Sequence, residues 1–527
     1  MRRTCLPTLI LVCAFVAFVN VLLAQINHNA NVDQAGALPD VQEPPAKFAK
    51  VAAYGSGGDY AESVAIGDVN GDGNPDLVLA AGNTIGILLG NGDGTFQTAV
   101  PLNYFADSVA LADVNGDGNL DIVATTEGGQ GNGDGTVEVL LGNGNGTFQP
   151  PRTYDAGGYD TVAIAVADLV GDGSLDLVVA NVGSSSVGVL LGDGHGNFGV
   201  AVSYASGGYN DYSVAIGDVN GDGYPDLVVA NQFECSSCYN GGVSVLLANG
   251  DGTFQTAVSY DSGGTYARSV AVADLSANGK LDVVVANAFY SNDFRKDGAV
   301  SVLAGNGDGT FQEAVAYSSG GYETQSVAVA DVNGDGVPDL VVLSCSSNSD
   351  CTGANKEGRF GILLGNSDGT FQAARSYGSG GFDGQPLEVS LAIADVNGDG
   401  RPDLLAPNLC NVWTCGGSGW TGGTVGVLLN LSSVSTVTTL TSSPNPSEVN
   451  QSATLTAAIT SSPVIPNGEL VTFYDGKAIL GMGTTTNGEA TLTTFFSTAG
   501  KYSIKASYPG DAFHKASSGT VKQVVNP

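Results

Sequence analysis

A nine-residue acidic segment recurs seven times along this chain of 527 residues. The first copy runs from Asp68 to Asp76 and carries oxygen-bearing side chains at positions 1, 3, 5 and 9, with Gly at position 6. The copies begin 45 to 64 residues apart, at Asp68, Asp113, Asp168, Asp218, Asp274, Asp331 and Asp395. Self-similarity at such a period indicates a repeat architecture, in which each repeat is one supersecondary unit.

Four short apolar stretches accompany each acidic segment. In the best copy, residues 326–330 precede the segment and residues 340–343 and 360–364 follow it, and residues 311–317 represent the fourth kind. Stretches of this length, bounded by Gly, Asn, Asp or Pro, predict four β-strands per repeat. We label them A to D, with the acidic segment between A and B. The 77 Gly residues fit such tight turns, and the composition excludes a large α-helical protein.

The strands are divided unequally between the two ends of the repeat region. Strand C occurs seven times, but strand D follows only the first six copies, at Phe96, Phe148, Phe198, Phe254, Phe311 and Phe371. The missing copy stands at the front of the chain, in residues 48–54. A closed β-propeller accounts for this split, because an N-terminal strand that completes the last blade locks the ring. We therefore predict an all-β chain with a seven-bladed β-propeller over residues 47–430.

The repeated residues resemble FG-GAP/VCBS repeats, which build the propellers of integrin α-subunits and occur in many secreted bacterial proteins. The resemblance covers residues 47–430 and implies a propeller with calcium in the acidic loops. It implies little about function, because one fold hosts many unrelated sites.

Residues 434–527 have a different pattern, since the acidic repeat stops and Ser and Thr become frequent. Alternating stretches predict strands at residues 436–441, 453–459, 469–474, 490–496, 502–508 and 520–525, and this number of short strands suggests a β-sandwich. The segments at 443–447, 471–476 and 506–511 resemble bacterial Ig-like repeat domains. The Cys pair and buried Trp of antibody domains are missing, so only the bacterial group is implied.

The acidic segments are predicted calcium sites. Calcium takes six to eight oxygen ligands, and a tight turn with Gly directs alternate side chains and one carbonyl inward. The residues assigned to calcium are Asp68, Asn70, Asp72, Asn74, Asp76, Asp113, Asn115, Asp117, Asn119, Asp121, Asp168, Asp172, Asp176, Asp218, Asn220, Asp222, Tyr224, Asp226, Asp331, Asn333, Asp335, Val337, Asp339, Asp395, Asn397, Asp399, Arg401 and Asp403. The alternative is a set of polar hairpin turns, for which Asn, Asp and Gly are the usual residues.

The seven loops are not equivalent. Five keep all four side-chain ligands and are expected to bind Ca²⁺ well. The third has Val170 at position 3, which impairs it. The fifth keeps only two carboxylates, Asp274 and Asp282, and adds Lys280, so we expect it to be empty. The ions are expected to be structural, because the loops share one rim and no pattern of His or nucleophile accompanies them.

The N-terminus and the net charge bear on location and partners. Residues 1–24 read as a secretory signal, with Arg2 and Arg3 before an apolar run, and an uncleaved membrane anchor is the alternative. Residues 25–46 form a linker. We therefore expect a secreted or cell-surface protein. The net charge of −34 excludes a basic nucleic-acid groove and argues against docking on anionic lipid, so no membrane contact is expected beyond surface attachment.

Six cysteines remain after the signal, in three close pairs. An even number in an exported chain favours local disulfides over metal or redox use, and the pairs are Cys235 with Cys238, Cys345 with Cys351, and Cys410 with Cys415. Cross-pairing between the sixth and seventh repeats is the competing scheme.

The rim opposite the acidic loops is the candidate binding surface. The B to C loops there carry the cysteines, the long insertions and both Trp residues, Trp413 and Trp420. The D to A loops carry an aromatic after Ser-Gly-Gly or a related motif, at Tyr60, Tyr159, Tyr209, Tyr212, Tyr266, Tyr322 and Phe382. These tyrosines either pack between repeats or bind ligand, whereas Trp413 and Trp420 lie outside the repeat and are the better ligand-binding candidates.

Three functions are compatible with this pattern. The first is a non-enzymatic binding or adhesion module for an extracellular glycan or protein, and the others are a structural spacer and a polysaccharide-active, lyase-like enzyme. The enzyme ranks last because a lyase needs a base and cations near the uronate, and His195 is the single His of the repeats.

Overall fold

The computed structural model describes residues 46–126, 134–236, 238–290, 297–345, 357–382, 389–408, 422–461, 465–511 and 514–527. The predicted signal at 1–24 and the predicted linker up to residue 45 lie outside these residues. The described chain consists of strands, turns and irregular segments, with no helix in these ranges. Accordingly, no described segment is a helix long and apolar enough to span a membrane.

Residues 52–428 form four-stranded antiparallel units. Strand β1 (Ala52–Gly55) comes first in the chain. The next three units contain β2 (Ser63–Gly67), β3 (Asp76–Ala80), β4 (Ile85–Leu88), β5 (Val100–Leu102), β6 (Ser108–Ala112), β7 (Asp121–Thr126), β8 (Asp134–Leu140), β9 (Arg152–Tyr159), β10 (Thr161–Ala167), β11 (Asp176–Asn181), β12 (Ser186–Leu190) and β13 (Val202–Ala205).

The remaining strands of this region continue the pattern. They are β14 (Tyr209–Gly217), β15 (Asp226–Phe233), β16 (Asn240–Leu246), β17 (Val258–Ala273), β18 (Asp282–Phe289), β19 (Ala299–Leu303), β20 (Val315–Ser318), β21 (Tyr322–Ala330), β22 (Asp339–Cys345), β23 (Glu357–Leu363), β24 (Arg375–Phe382), β25 (Ala392–Ala394), β26 (Asp403–Asn408) and β27 (Thr424–Leu428). Each acidic loop joins the first two strands of a unit.

The sheets of this region have four strands in chain order, with two exceptions. Strand β17 is 16 residues long and serves both as the outer strand of the fourth unit and as the inner strand of the fifth, so these two units form one seven-stranded sheet. The sequence predicts a break there, at the Ser-Gly-Gly-like turn. The last sheet has the order β1-β27-β26-β25, so the described residues contain seven four-stranded units when β17 is divided.

The N-terminal strand completes the last unit. Tyr54 pairs with Val425, and Phe48 forms a further bridge with Asn430. The closure is also apolar, because one buried cluster joins Val64 of the first unit to Val396 of the last. The ring therefore closes because the N-terminal strand β1 is part of the last four-stranded unit.

The core lies between neighbouring units. The second strand of each unit is buried on both faces, as in β3, where Leu77, Val78 and Leu79 have no exposed surface. Near the outside, the Tyr of one outer strand packs edge-on against the Phe of the next, with ring centroids 5.1 to 5.6 Å apart. The Phe and Tyr of each repeat are thus explained by contacts between units.

The C-terminal residues form a second, Ig-like unit. Its strands are β28 (Val437–Ser443), β29 (Ser447–Glu448), β30 (Ser452–Thr460), β31 (Leu470–Asp475), β32 (Ala478–Thr484), β33 (Glu489–Phe495), β34 (Gly500–Tyr508) and β35 (Ser517–Asn526). They make two sheets, β28-β30-β33 and β29-β35-β34-β31-β32, which enclose Leu455, Phe473, Ile504 and Tyr508. The sequence missed β29, which has two residues, and β32, whose two Gly residues interrupt the apolar alternation.

Candidate functional site

The acidic loops share one backbone conformation. Positions 4 and 6 adopt positive φ, as at Gly71 (75°) and Gly73 (85°), and Gly supplies this conformation without steric cost. The fifth loop departs from the pattern because Ala277 occupies position 4 with a φ of 53°. The backbone of the fifth loop is therefore strained at this position, where the other six loops have Gly.

The first Asp of each loop holds the turn together. In the first loop, Asp68 accepts hydrogen bonds from the amides of Gly71 at 2.7 Å and Gly73 at 2.8 Å. Positions 3 and 5 are tied in the same way, since Asn70 Oδ1 accepts from the amide of Asp72 and Asp72 Oδ1 accepts from that of Asn74, both at 2.8 Å. The side chains of positions 1, 3 and 5 therefore gather around a short segment of backbone.

The Asp at position 9 has a different and buried role. Oδ2 of Asp76 accepts from the amide of Val69 at 3.0 Å, and Oδ1 accepts from the amide of Gly90, at the end of the third strand, at 2.7 Å. The second bond recurs in all seven loops at 2.6 to 2.8 Å, from Gly90, Gly142, Gly192, Ala248, Gly305, Gly365 and Asn430 to Asp76, Asp121, Asp176, Asp226, Asp282, Asp339 and Asp403. This carboxylate connects the acidic loop to the third strand of its own unit, a role that the sequence did not indicate.

Burial, and to a lesser extent the neighbouring carboxylates, disfavour the charged form of the ninth Asp. Burial, followed by the charges of Asp331 and Asp335, raises the pKa of Asp339 to about 8. The same causes raise the pKa of Asp403 to about 7 and that of Asp76 to about 6. The three acidic side chains of a loop therefore lie close enough to repel.

The described residues contain no group of three or more His, Cys, Asp or Glu side chains placed to hold a metal on their own. Both oxygens of the ninth residue accept backbone hydrogen bonds, and both oxygens of Asp68 at position 1 do so as well. A cation held by positions 1 and 5 would therefore also need the amide oxygen of position 3. In the sixth loop this oxygen, Asn333 Oδ1, is buried and has no hydrogen-bond partner among the described residues. An unpaired buried acceptor beside two carboxylates fits a cation at that loop.

The seventh loop contains an ion pair. The guanidinium of Arg401, at position 7, contacts Asp399 and donates to the carbonyl of Ser432 at 3.0 Å. Arg401 is buried, and its positive charge lies against the carboxylate of Asp399. In the third loop Val170 stands at position 3. In the fifth, the side chain of Lys280, which the sequence predicted to place a positive charge inside the turn, lies beside Gly307.

The opposite rim holds the aromatic residues of the D to A loops. Tyr159 and Tyr209 are 49% and 44% exposed, whereas Tyr322 is only 5% exposed and packs against Phe289. Tyr322 thus packs between units, whereas Tyr159 and Tyr209 leave ring surface exposed. Trp413 and Trp420 lie outside the described residues.

The structure describes three of the six cysteines in the predicted disulfides, Cys235, Cys238 and Cys345. Cys235 and Cys238 carry thiols and not the predicted disulfide. The sulfur of Cys238 accepts from the amide of Cys235 at 2.8 Å and contacts the carbonyl of Cys235 at 3.2 Å. Cys345 is disulfide-bonded. Its predicted partner Cys351, and both Cys410 and Cys415, lie outside the described residues.

A central channel runs between the inner strands of the units. Its cavity has a volume of about 150 Å³ and is lined at one level by Ser63, Ser108, Ala163, Ser213, Ser269, Ser326 and Ser390. Four of these hydroxyls accept the amide hydrogen of the next unit at 3.1 to 3.3 Å, as Ser269 does from Val327. The serines therefore connect neighbouring units around the channel.

Two known families match segments of this chain. The FG-GAP-like repeat matches residues 68–124, 128–179, 168–229, 233–285, 288–342 and 348–406, and the bacterial Ig-like domain (group 3) matches residues 440–526. No curated protein matches the chain. Among solved structures, a chain of the Photorhabdus luminescens Tc holotoxin pore is similar at 15% identity with a TM-score of 0.31. That match covers 88% of this chain and 21% of the toxin chain, so this chain spans about a fifth of its length.

The family matches agree with the architecture. Every acidic loop falls within a matched FG-GAP-like segment, and the Ig-like match coincides with the C-terminal sandwich. The expected all-β fold, a propeller followed by an Ig-like domain, is confirmed. This combination fits an extracellular binding or adhesion module. The chain belongs to the FG-GAP-like repeat family.

Proposed function

We propose that this protein is a secreted or surface-attached β-propeller that holds calcium on one rim and binds an extracellular glycan or protein on the other, without enzymatic activity. The division between the two rims carries the proposal. One rim has seven acidic loops whose ninth Asp makes the same hydrogen bond to the third strand, and the other has insertions, cysteines and aromatic residues. Variable loops on a rigid scaffold are typical of recognition.

Calcium has a structural role in this proposal. The carboxylates of positions 1 and 5 and the amide oxygen of position 3 would hold the ion, as with Asp331, Asp335 and Asn333 in the sixth loop. Such hard oxygen donors are the ligands that Ca²⁺ prefers. A divalent cation would offset the repulsion that helps to raise the pKa of Asp339.

The loops would differ in affinity. The strong sites are the loops that begin at Asp68, Asp113, Asp218 and Asp331. They keep all four side-chain ligands and have no Lys or Arg within the nine residues. The seventh is weaker than the sequence suggests, because Arg401 already contacts Asp399. The third is impaired by Val170, and the fifth is empty.

The ligand would bind the rim that carries the insertions. Aromatic anchors dominate such contacts, so Trp413 and Trp420 are the proposed contact residues. In a glycan array, and in capture of extracellular protein ligands, replacement of both by Ala is expected to abolish binding and to leave the calcium-dependent melting curve unchanged. The control is Phe495→Ala, because Phe495 is 65% exposed but belongs to the Ig-like domain. Retained binding in the double variant would exclude these residues as anchors.

A further inference from the structure

A row of aromatic rings lies on the insertion-bearing rim across the fourth to sixth units. We call Phe233, Tyr239, Tyr266, Phe289 and Tyr322 the aromatic row. Tyr266 is its centre, with ring centroids 5.2 Å from Phe233, 6.3 Å from Tyr239 and 6.0 Å from Phe289. Tyr239 is 55% exposed, whereas Phe289 and Tyr322, at the base of the row, are buried. The row therefore offers exposed ring surface on a packed aromatic base.

The backbone of Tyr266 adopts an unfavourable conformation. Its φ is 57°, in the left-handed region that bulky residues rarely enter. The equivalent positions of the third, fourth and sixth units also have positive φ but carry Asp160, Asn210 and Glu323. Strain of this kind is frequent at binding sites. The fifth unit alone among these four places an aromatic ring there, at the centre of the row.

Polar groups lie beside the row at the mouth of the channel. Tyr212, Arg268 and Gln325 directly precede the channel serines of three consecutive units, and we call them the polar arc. The guanidinium of Arg268 lies 4.6 Å from the centre of the Tyr212 ring. Nε and Nη1 of Arg268, and Oε1 of Gln325, are buried with no hydrogen-bond partner in the part of the chain that the structure describes. Gln325 is 5% exposed.

We propose that the aromatic row and the polar arc form one binding site for a neutral oligosaccharide. This inference rests on the proposed function of the rim and names the ligand class. A sugar ring presents an apolar C–H face that stacks on aromatic rings and a hydroxyl edge that both donates and accepts hydrogen bonds. The unpaired N–H groups of Arg268 and the unpaired oxygen of Gln325 match that edge.

Charge and area decide between ligand classes. The chain has a net charge of −34, which repels an acidic polysaccharide at long range and leaves a neutral one unaffected. Tyr239 is 55% exposed and Tyr266 is partly buried, so their exposed surface amounts to roughly 100 to 230 Å² if a whole Tyr offers 150 to 250 Å². A stable protein partner needs about 800 Å² on each side, so the site has the size of a few sugar units.

The test is affinity electrophoresis of the full-length protein in native gels that contain soluble glucan, mannan, galactan or xylan, with polygalacturonate as the acidic counterpart. At least one neutral polysaccharide is expected to retard the protein, and polygalacturonate is not. Tyr239→Ala and Arg268→Leu should each weaken the retardation about tenfold in Kd, which corresponds to about 1.4 kcal/mol. Arg268→Lys keeps the charge and should retain part of the affinity. Tyr159→Ala is the control, because Tyr159 is similarly exposed on the same rim of the third unit.

The outcomes separate this inference from the proposed function. Melting curves with and without calcium show whether each variant is folded, and they do not depend on a ligand. Retardation by polygalacturonate alone, no retardation by any neutral polysaccharide, or retardation that Tyr239→Ala and Arg268→Leu leave unchanged would overturn the inference. If the Trp413 and Trp420 double variant then loses binding of a glycan or protein, the proposed function of the rim stands although the oligosaccharide site is wrong.

Discussion

The amide of Ala248 donates a hydrogen bond to Oδ1 of Asp226 at 2.7 Å, and this links the fourth acidic loop to the end of β16. The other oxygen of Asp226 accepts from the amide of Val219 at 3.0 Å. The residue that a metal-binding motif would use as its last ligand is thus also a buried structural acceptor. Because of this dual role, replacing Asp226 should affect stability differently from replacing Asp222 in the same loop.

Replacement of Asp226 by Ala should destabilise the propeller even without calcium. It leaves two buried amides unpaired, at about 1 to 3 kcal/mol each, so the unfolding free energy should fall by about 2 to 6 kcal/mol in EDTA. Asp222→Ala is the matched control in the same loop, and its effect should appear mainly when calcium is present. Denaturant titrations of both variants in EDTA and in calcium measure the difference. Equal losses for the two variants in EDTA would contradict the structural role.

Asp211 should make stability depend on pH. It is fully buried, and Ser206 and Asn231 donate to Oδ1 at 2.8 Å. Burial raises its pKa from 3.8 to about 6, and the hydrogen bonds only partly oppose this. Because the folded pKa exceeds the unfolded one, its contribution to stability is complete below pH 4 and is lost as the pH rises through about 6.

Asp211→Asn should therefore be more stable than the wild type at pH 8, by up to about 3 kcal/mol, and similar to it at pH 4. Denaturant unfolding at the two pH values measures this, with Asp59→Asn on the equivalent loop of the first unit as control. A constant difference between wild type and Asp211→Asn across the range would show that the carboxyl does not titrate there.

The serines of the channel should stabilise the contacts between units. Ser269→Ala removes the acceptor of the Val327 amide and should cost about 1 kcal/mol. The third unit has Ala163 at the same position, so Ala163→Ser should supply an acceptor to the amide of Val214 and add a similar amount. Opposite shifts of the two melting temperatures are expected, and a destabilised Ala163→Ser would show that the third unit cannot accept the hydroxyl.

The cysteines should differ in reactivity. Cys235 and Cys238 are expected to be alkylated without reductant, because both carry thiols, while Cys345 is protected by its disulfide. Peptide mapping under non-reducing conditions should then find Cys345 joined to Cys351 and Cys410 joined to Cys415. A peptide that links Cys351 to Cys410 would instead establish cross-pairing between the sixth and seventh units.

The architecture was largely predictable because its signals are local and repeated. The missing outer strand and its copy at residues 48–54 indicated the closure that β1 makes with β27. The continuous strand β17 was not predictable, because its middle has the same Ser-Gly-Gly pattern that forms a turn in other units. Strand β32 was missed because its glycines weaken the alternation.

The candidate sites were predicted less completely because they depend on contacts between distant residues. Motif spacing identified the acidic loops, but it could not show that Asp403 accepts from the amide of Asn430, 27 residues away. Nor could it show that Arg401 contacts Asp399. The aromatic row joins residues of three units, and no single repeat contains its pattern.

Calcium dependence of the melting temperature is the most direct test of the central claim. At ~1 mM calcium, dissociation constants of about 0.1 to 1 mM give roughly 0.4 to 1.4 kcal/mol per site, and four or five sites give about 2 to 7 kcal/mol. We expect the purified protein to melt many degrees lower in EDTA than in calcium, and elemental analysis to find four or five bound calcium ions per chain. An unchanged melting temperature in EDTA, together with no bound metal, would contradict the account.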